Sequence, residues 1–224
     1  MAEIQGVCDP RFEALHQLLQ HNLGSGADTG ASVAVMLGGE LVVDLWGGSV
    51  AANDATPWQH DTIVNVWSTT KTMMALSALL LVDRGLLDVD APVSTYWPEF
   101  AQNGKENVRV RQFLGHTSGV SGWEKPITLD EVFDWERSTE KLASQAPWWE
   151  PGTQSGYHAM NQGHLVGEVV RRITGMKLGE FFRKEIAEPF DIDFHIGLSE
   201  QEFGRVATLT PPPPPSGDLR ALGR

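Results

Sequence analysis

One cysteine, two tyrosines and a shortage of basic residues set the first limits on this 224-residue chain. Cys8 alone cannot form an internal disulfide and offers no thiolate metal cluster. The seven histidines form neither an H-E-x-x-H pattern nor a Cys/His cluster, so no catalytic metal and no cofactor are expected. Lysine and arginine total 17 against 29 acidic residues, a net charge of −12. That balance argues against nucleic acid as a partner and gives no basic footprint for an anionic membrane. The longest apolar stretch carries Lys71 near one end and Asp83-Arg84 at the other, which argues against a membrane span. The N-terminus, M-A-E-I-Q-G-V-C-D-P-R-F, lacks the basic start and apolar core of a signal peptide, so a soluble cytoplasmic protein is the expectation. There are no internal repeats, and the oligomeric state is left open.

What is present is ordinary globular material, 41% hydrophobic and 21% charged. Asp9-Pro10 followed by R-F-E-A-L-H-Q-L-L predicts an N-terminal helix capped by Asp9 and ended by Gly24. A-S-V-A-V-M-L and L-V-V-D-L-W-G-G, around Gly38-Gly39-Glu40, predict a β-hairpin. Thr62–Val66 reads as a short strand leading into a helix that ends near Gly85. Beyond it, helices are expected within residues 108–115, over Leu129–Ser144, up to Gly175 and over Lys177–Ala187. Nothing after Phe203 shows strand character, and Pro211–Pro215 reads as a linker or exposed loop. The division expected is residues 1–85, with helix, hairpin and central helix, then a mostly helical region over 86–203 and a proline-rich segment over 204–224. The class is α+β, an antiparallel sheet covered by helices.

The chemistry concentrates in V-W-S-T-T-K-T-M-M-A-L-S-A-L-L-L-V-D-R, residues 66–84. It is apolar on nearly every face, which predicts a buried helix. Ser68 stands where this helix begins, near unpaired backbone N–H groups. Lys71, three residues on, shares its face and can reach the hydroxyl. Burial depresses a lysine, and such an amine can take a proton from a serine. A capping serine beside a solvated lysine is the plainer alternative.

Three segments together resemble one group of proteins. W-S-T-T-K at Trp67–Lys71 is similar to the S-x-x-K nucleophile motif of serine β-lactamases and penicillin-binding proteins. L-G-H-T-S-G at Leu114–Gly119 resembles the L-x-H-T-S-G turn of that superfamily, with His116 as a structural residue holding the turn. E-P-G-T-Q-S-G-Y at Glu150–Tyr157 resembles its tyrosine segment. The similarity covers about residues 28–200 and is nearest to class C-like β-lactamases and family VIII carboxylesterases. The resemblance implies a β-lactamase/transpeptidase-like fold with Ser68 as nucleophile, Lys71 as the amine assisting its deprotonation and Tyr157 as partner base. The Ser68 backbone N–H would be one oxyanion donor. Trp148 and Trp149 are candidates for an acyl-pocket wall, with core packing as the alternative.

Two departures from the pattern bear on the substrate. The β-lactamase form Y-x-N is Y-H-A here, so Ala159 stands where an asparagine is usual, and His158 or Asn161 is left as a candidate polar contact. His164 is a second possible replacement, although a core or solvated histidine is the plainer reading for it and for His158. This favours a carboxylesterase acting on small or medium acyl esters. A β-lactamase or D-amino-acid peptidase using the same residues, and a non-catalytic binding module, are the alternatives. The late strand that carries K-T-G or H-x-G in the family is also missing, since His195-Ile196-Gly197 comes too early, so C-terminal strands are expected to be absent.

Overall fold

Gly38 and Gly39, both with positive φ (63° and 86°), close the hairpin expected from the sequence. The structure, a computed structural model, describes residues 3–211. Strand β1 (Ile4–Cys8), helix α1 (Glu13–Ser25), strands β2 (Gly30–Leu37), β3 (Glu40–Ala51) and β4 (Asp54–Pro57), and short strands β5 (Ile63–Val64) and β6 (Val206–Ala207) make one unit, residues 3–65 with 199–211. β3 is central and antiparallel to both β1 and β2, with Cys8 and Val35 each opposite Val43, and β4 pairs with its far end. Val43 and Leu45 point to one face by strand alternation and meet Leu19 and Leu23 of α1, forming a small apolar core.

Local details differ from expectation for physical reasons. Asp9 does accept from the Arg11 N–H at 2.9 Å, but it caps a single 3-10 turn, and α1 runs past Gly24 to end at Gly26 in the left-handed region (φ 75°). β1 went unseen because five residues interrupted by Gly6 show no alternation, and their pairing comes from β3. Val206-Ala207 is a two-residue strand parallel to β5, too short to leave a sequence pattern. The proline-rich segment lies mostly outside the described residues.

The other unit, residues 66–198, is helical: α2 (Thr70–Asp83), α3 (Val110–Leu114), α4 (Leu129–Phe133), α5 (Trp135–Ser144), α6 (Gln162–Thr174) and α7 (Leu178–Phe182), the last continuing as a π turn through Ala187. α2 therefore groups with the helices, whereas the sequence reading placed it with the hairpin. Its Met74, Ala78 and Leu81 join Phe100, Phe113, Leu165, Val166, Val169 and Phe181 in the main core. The helix is not buried all round, however: Leu76 and Leu79 are 43% and 54% exposed. The helix expected over Leu129–Ser144 is split at Asp134, which leaves helical geometry (ψ 100°) to accept from the Arg137 N–H and cap α5.

Two buried charges tie this unit together. Lys105, fully buried, donates to the carbonyls of Gln102 (2.9 Å) and Gln145, and burial pulls its amine down to about 8. Gln145 in turn donates to Gly122 O and accepts from the Glu124 N–H, fixing the loop after α3. Glu168 on α6, 1% exposed, accepts from Arg171, Arg172 and the Trp135 indole at 2.7–2.8 Å. Burial alone would raise its carboxyl, but these donors outweigh it and hold it below the ordinary 4.5.

Glu168→Ala should destabilise the helical unit by about 3 kcal/mol in urea unfolding, because it leaves the Trp135 indole N–H without its acceptor and leaves Arg171 and Arg172 only the peripheral Glu136 and Glu99. The folded value lies below the unfolded one, so the stabilisation is complete above pH 4.5 and fades as pH falls through the folded value. Wild type should show that acid loss, and Glu168→Gln, which has no carboxyl there to protonate, should lack it.

Candidate active site

The chain enters α2 through a strained turn. Trp67 adopts φ 48°, a sparsely populated conformation for a bulky residue, immediately before Ser68. A 3-10 turn over Trp67–Thr69 then leads into the helix, so Lys71 rises from the next turn on the same face. Lys71 Nζ donates to Ser68 Oγ at 3.1 Å and to the Ala159 carbonyl at 2.9 Å. The lysine is half-buried rather than enclosed in the core, and Ser68 is open to solvent.

Tyr157 arrives from the loop before α6 and completes the group. Its hydroxyl is turned toward Ser68 and Lys71, and the Lys71 amine lies 5.0 Å from its ring centre. The nearby Ser68 hydroxyl first, and the Lys71 amine after it, hold the phenol below its ordinary value of 10.0. A phenol so placed can act as a base toward a neighbouring hydroxyl. All three side chains belong to the helical unit.

The other candidate residues fall differently. His158 and Asn161 are fully buried, and this corrects their assignment as substrate contacts. The Asn161 amide donates to Val120 O at 2.9 Å, anchoring the start of α6. His158 bonds Ser118 Oγ at 2.6 Å inside the loop packing. His164 is also turned inward, against Trp123 and Trp135, with its Nε2 3.0 Å from Val132 O. Trp148 is exposed and lies against Gly122, while Trp149 packs on Gly156, where a Cβ would come within 2.4 Å of the indole. The residue beside Tyr157 must therefore be glycine for Trp149 to sit there. His195-Ile196-Gly197 is a loop packed on α7, with Ile196 O against Gly179, and not a strand. The Ala159 carbonyl, acceptor for Lys71, and the Ser118 hydroxyl were missed by sequence reasoning, because neither a backbone carbonyl nor a small buried hydroxyl leaves a motif.

The chain is 37% identical over 193 residues to the esterase/β-lactamase LipL of Mycobacterium tuberculosis, covering 86% of this chain and 44% of LipL. It is 31% identical over 178 residues to esterase EstB of Burkholderia gladioli, covering 71% of this chain and 45% of EstB. A family VIII carboxylesterase crystal structure superposes with a TM-score of 0.87 at 44% identity, covering 92% of this chain and 57% of that one. A penicillin-binding protein homologue from Caulobacter crescentus gives 0.89 at 41% identity, with 94% and 57% covered. The chain thus spans about half the length of the relatives it matches. The sequence profile of the family described as Beta-lactamase matches residues 15–223, and the chain belongs to that family, within the serine β-lactamase and penicillin-binding protein superfamily.

Proposed function

We propose that the chain carries the catalytic residues of a serine hydrolase that forms an acyl-enzyme, acting as a carboxylesterase on small or medium acyl esters. The observation that supports this is the convergence of Ser68 Oγ, Lys71 Nζ and the Tyr157 hydroxyl, with the phenol held below its ordinary value. In this reading Tyr157, as phenolate, takes the Ser68 proton while the Lys71 ammonium offsets its charge. Ser68 Oγ attacks the ester carbonyl, and the developing oxyanion is met by the Ser68 backbone N–H at the start of the helix. Tyr157 returns the proton to the departing alcohol, and water then releases the acid by the same route in reverse.

Ala159 supports an ester over a β-lactam substrate. Its methyl group has no donor for a substrate amide, and its carbonyl is engaged by Lys71. Exposed Trp148 and half-buried Trp149 would then wall the acyl side. A β-lactamase using the same three residues is the second reading, favoured by the double name of LipL.

A fluorophosphonate probe should form one adduct by intact mass, absent from Ser68→Ala. Lys71→Ala and Tyr157→Phe should slow labelling by about 10²–10⁴-fold, the usual span for loss of a general base. The labelling rate should climb with pH and level off below 10, where Tyr157 titrates. Hydrolysis of p-nitrophenyl butyrate without nitrocefin turnover would separate the two substrate readings. A folded chain that takes no adduct would leave the binding-module alternative.

A further inference from the structure

Tyr157 is held from both sides by one residue. His116, in the left-handed conformation (φ 60°), follows the end of α3. Its carbonyl accepts the Gly156 N–H at 3.0 Å, and its Nδ1 accepts the His158 N–H at 3.1 Å. Gly156 and His158 are the two neighbours of Tyr157, so the backbone on each side of the phenol is pinned to His116. The His116 ring also packs on the Tyr157 ring, centres 4.8 Å apart. Beneath, His158 donates from Nδ1 to Gly156 O at 2.6 Å, which leaves Nε2 to accept from Ser118 Oγ at 2.6 Å. Ser118 Oγ accepts the Val120 N–H at 3.1 Å, so its proton goes to His158. Ser118 and His158 are fully buried, which makes these bonds costly to break.

We propose that His116, supported by His158 and Ser118, is a positioning residue that holds the Tyr157 phenol in register with Ser68 Oγ and must keep its Nδ1 unprotonated to do so. This rests on the Ser-Lys-Tyr reading above and adds a tautomer requirement to it. The groups facing His116 are Lys71 from α2, and Tyr157 and His158 from the loop before α6. A proton on Nδ1 would meet the His158 N–H head-on and release that side of the tyrosine segment. Burial and the Lys71 charge both oppose that proton, so His116 sits below the ordinary 6.5 and the segment stays closed at neutral pH.

The test compares wild type with His116→Asn and His116→Ala by two readouts. The first is tyrosinate absorbance against pH, with Tyr157→Phe as the blank, since Tyr96 is the other tyrosine of two. The second is the fluorophosphonate labelling rate against pH. Asparagine tolerates positive φ and offers Oδ1 where Nδ1 stood, but cannot titrate. His116→Asn should keep the low Tyr157 titration and the alkaline labelling rate, and should lose the second, steeper fall that His116 protonation adds below the ordinary 6.5. His116→Ala should let Tyr157 drift back toward 10.0 and slow labelling by about 10²-fold, the scale of a misplaced catalytic group. A folded His116→Ala with wild-type Tyr157 titration overturns the proposal. Should that variant not fold, a second fall retained unchanged in His116→Asn overturns it equally. A wild type that takes no label, while its Tyr157 titration still depends on His116, would sink the hydrolase reading and support the positioning role.

Discussion

The Lys71 amine is the joint on which this structure depends. It donates to Ser68 in the turn that leads into its own helix and to the Ala159 carbonyl 88 residues away, so one cation links the start of α2 to the loop that brings Tyr157. Charge-assisted bonds of this kind are stronger than neutral ones, and a half-buried setting weakens screening. Removing the amine would loosen the loop that carries Tyr157 as well as the start of the helix. A neutral side chain of the same length could fill the space but could not favour the phenolate.

Support for this joint is layered outward through the helical unit. Lys105 holds Gln145, and Gln145 holds the loop at Gly122 and Glu124. That loop carries Val120, whose carbonyl takes the Asn161 amide at the start of α6. Each tie is a buried or part-buried polar bond, where loss of one partner leaves the other short of its own. Such chains give a loop the rigidity that helices get from their own ladders. This is how Tyr157, in a segment without regular structure, can hold a fixed distance to a helix.

Part of this arrangement was legible in the sequence because it is local. Ser68 and Lys71 are three apart, and helix geometry alone puts them on one face. The Gly38-Gly39 turn and the Gly175 stop follow from backbone sterics. Tyr157 was legible only through its resemblance to a family motif, since nothing in its spacing from Ser68 implies contact. His158 and Asn161 were misplaced as substrate contacts because their burial depends on Ser118 and Val120, 40 and 41 residues earlier. The exposure of Leu76 and Leu79 was hidden for a related reason. An apolar residue reports that it can be buried, and its neighbours in space decide whether it is.

The left-handed Trp67 has a consequence for how this chain can change. A bulky residue at φ 48° costs about 1–2 kcal/mol that glycine would not incur. Glycine at 67 would therefore be the thermodynamically easier choice, yet it would also free the backbone of the residue that precedes Ser68. Variation at this position is thus pulled two ways, toward tolerance to heat by small residues and toward a stiff approach to Ser68 by large ones. A lineage that gained robustness here would do so by slackening its own approach to Ser68.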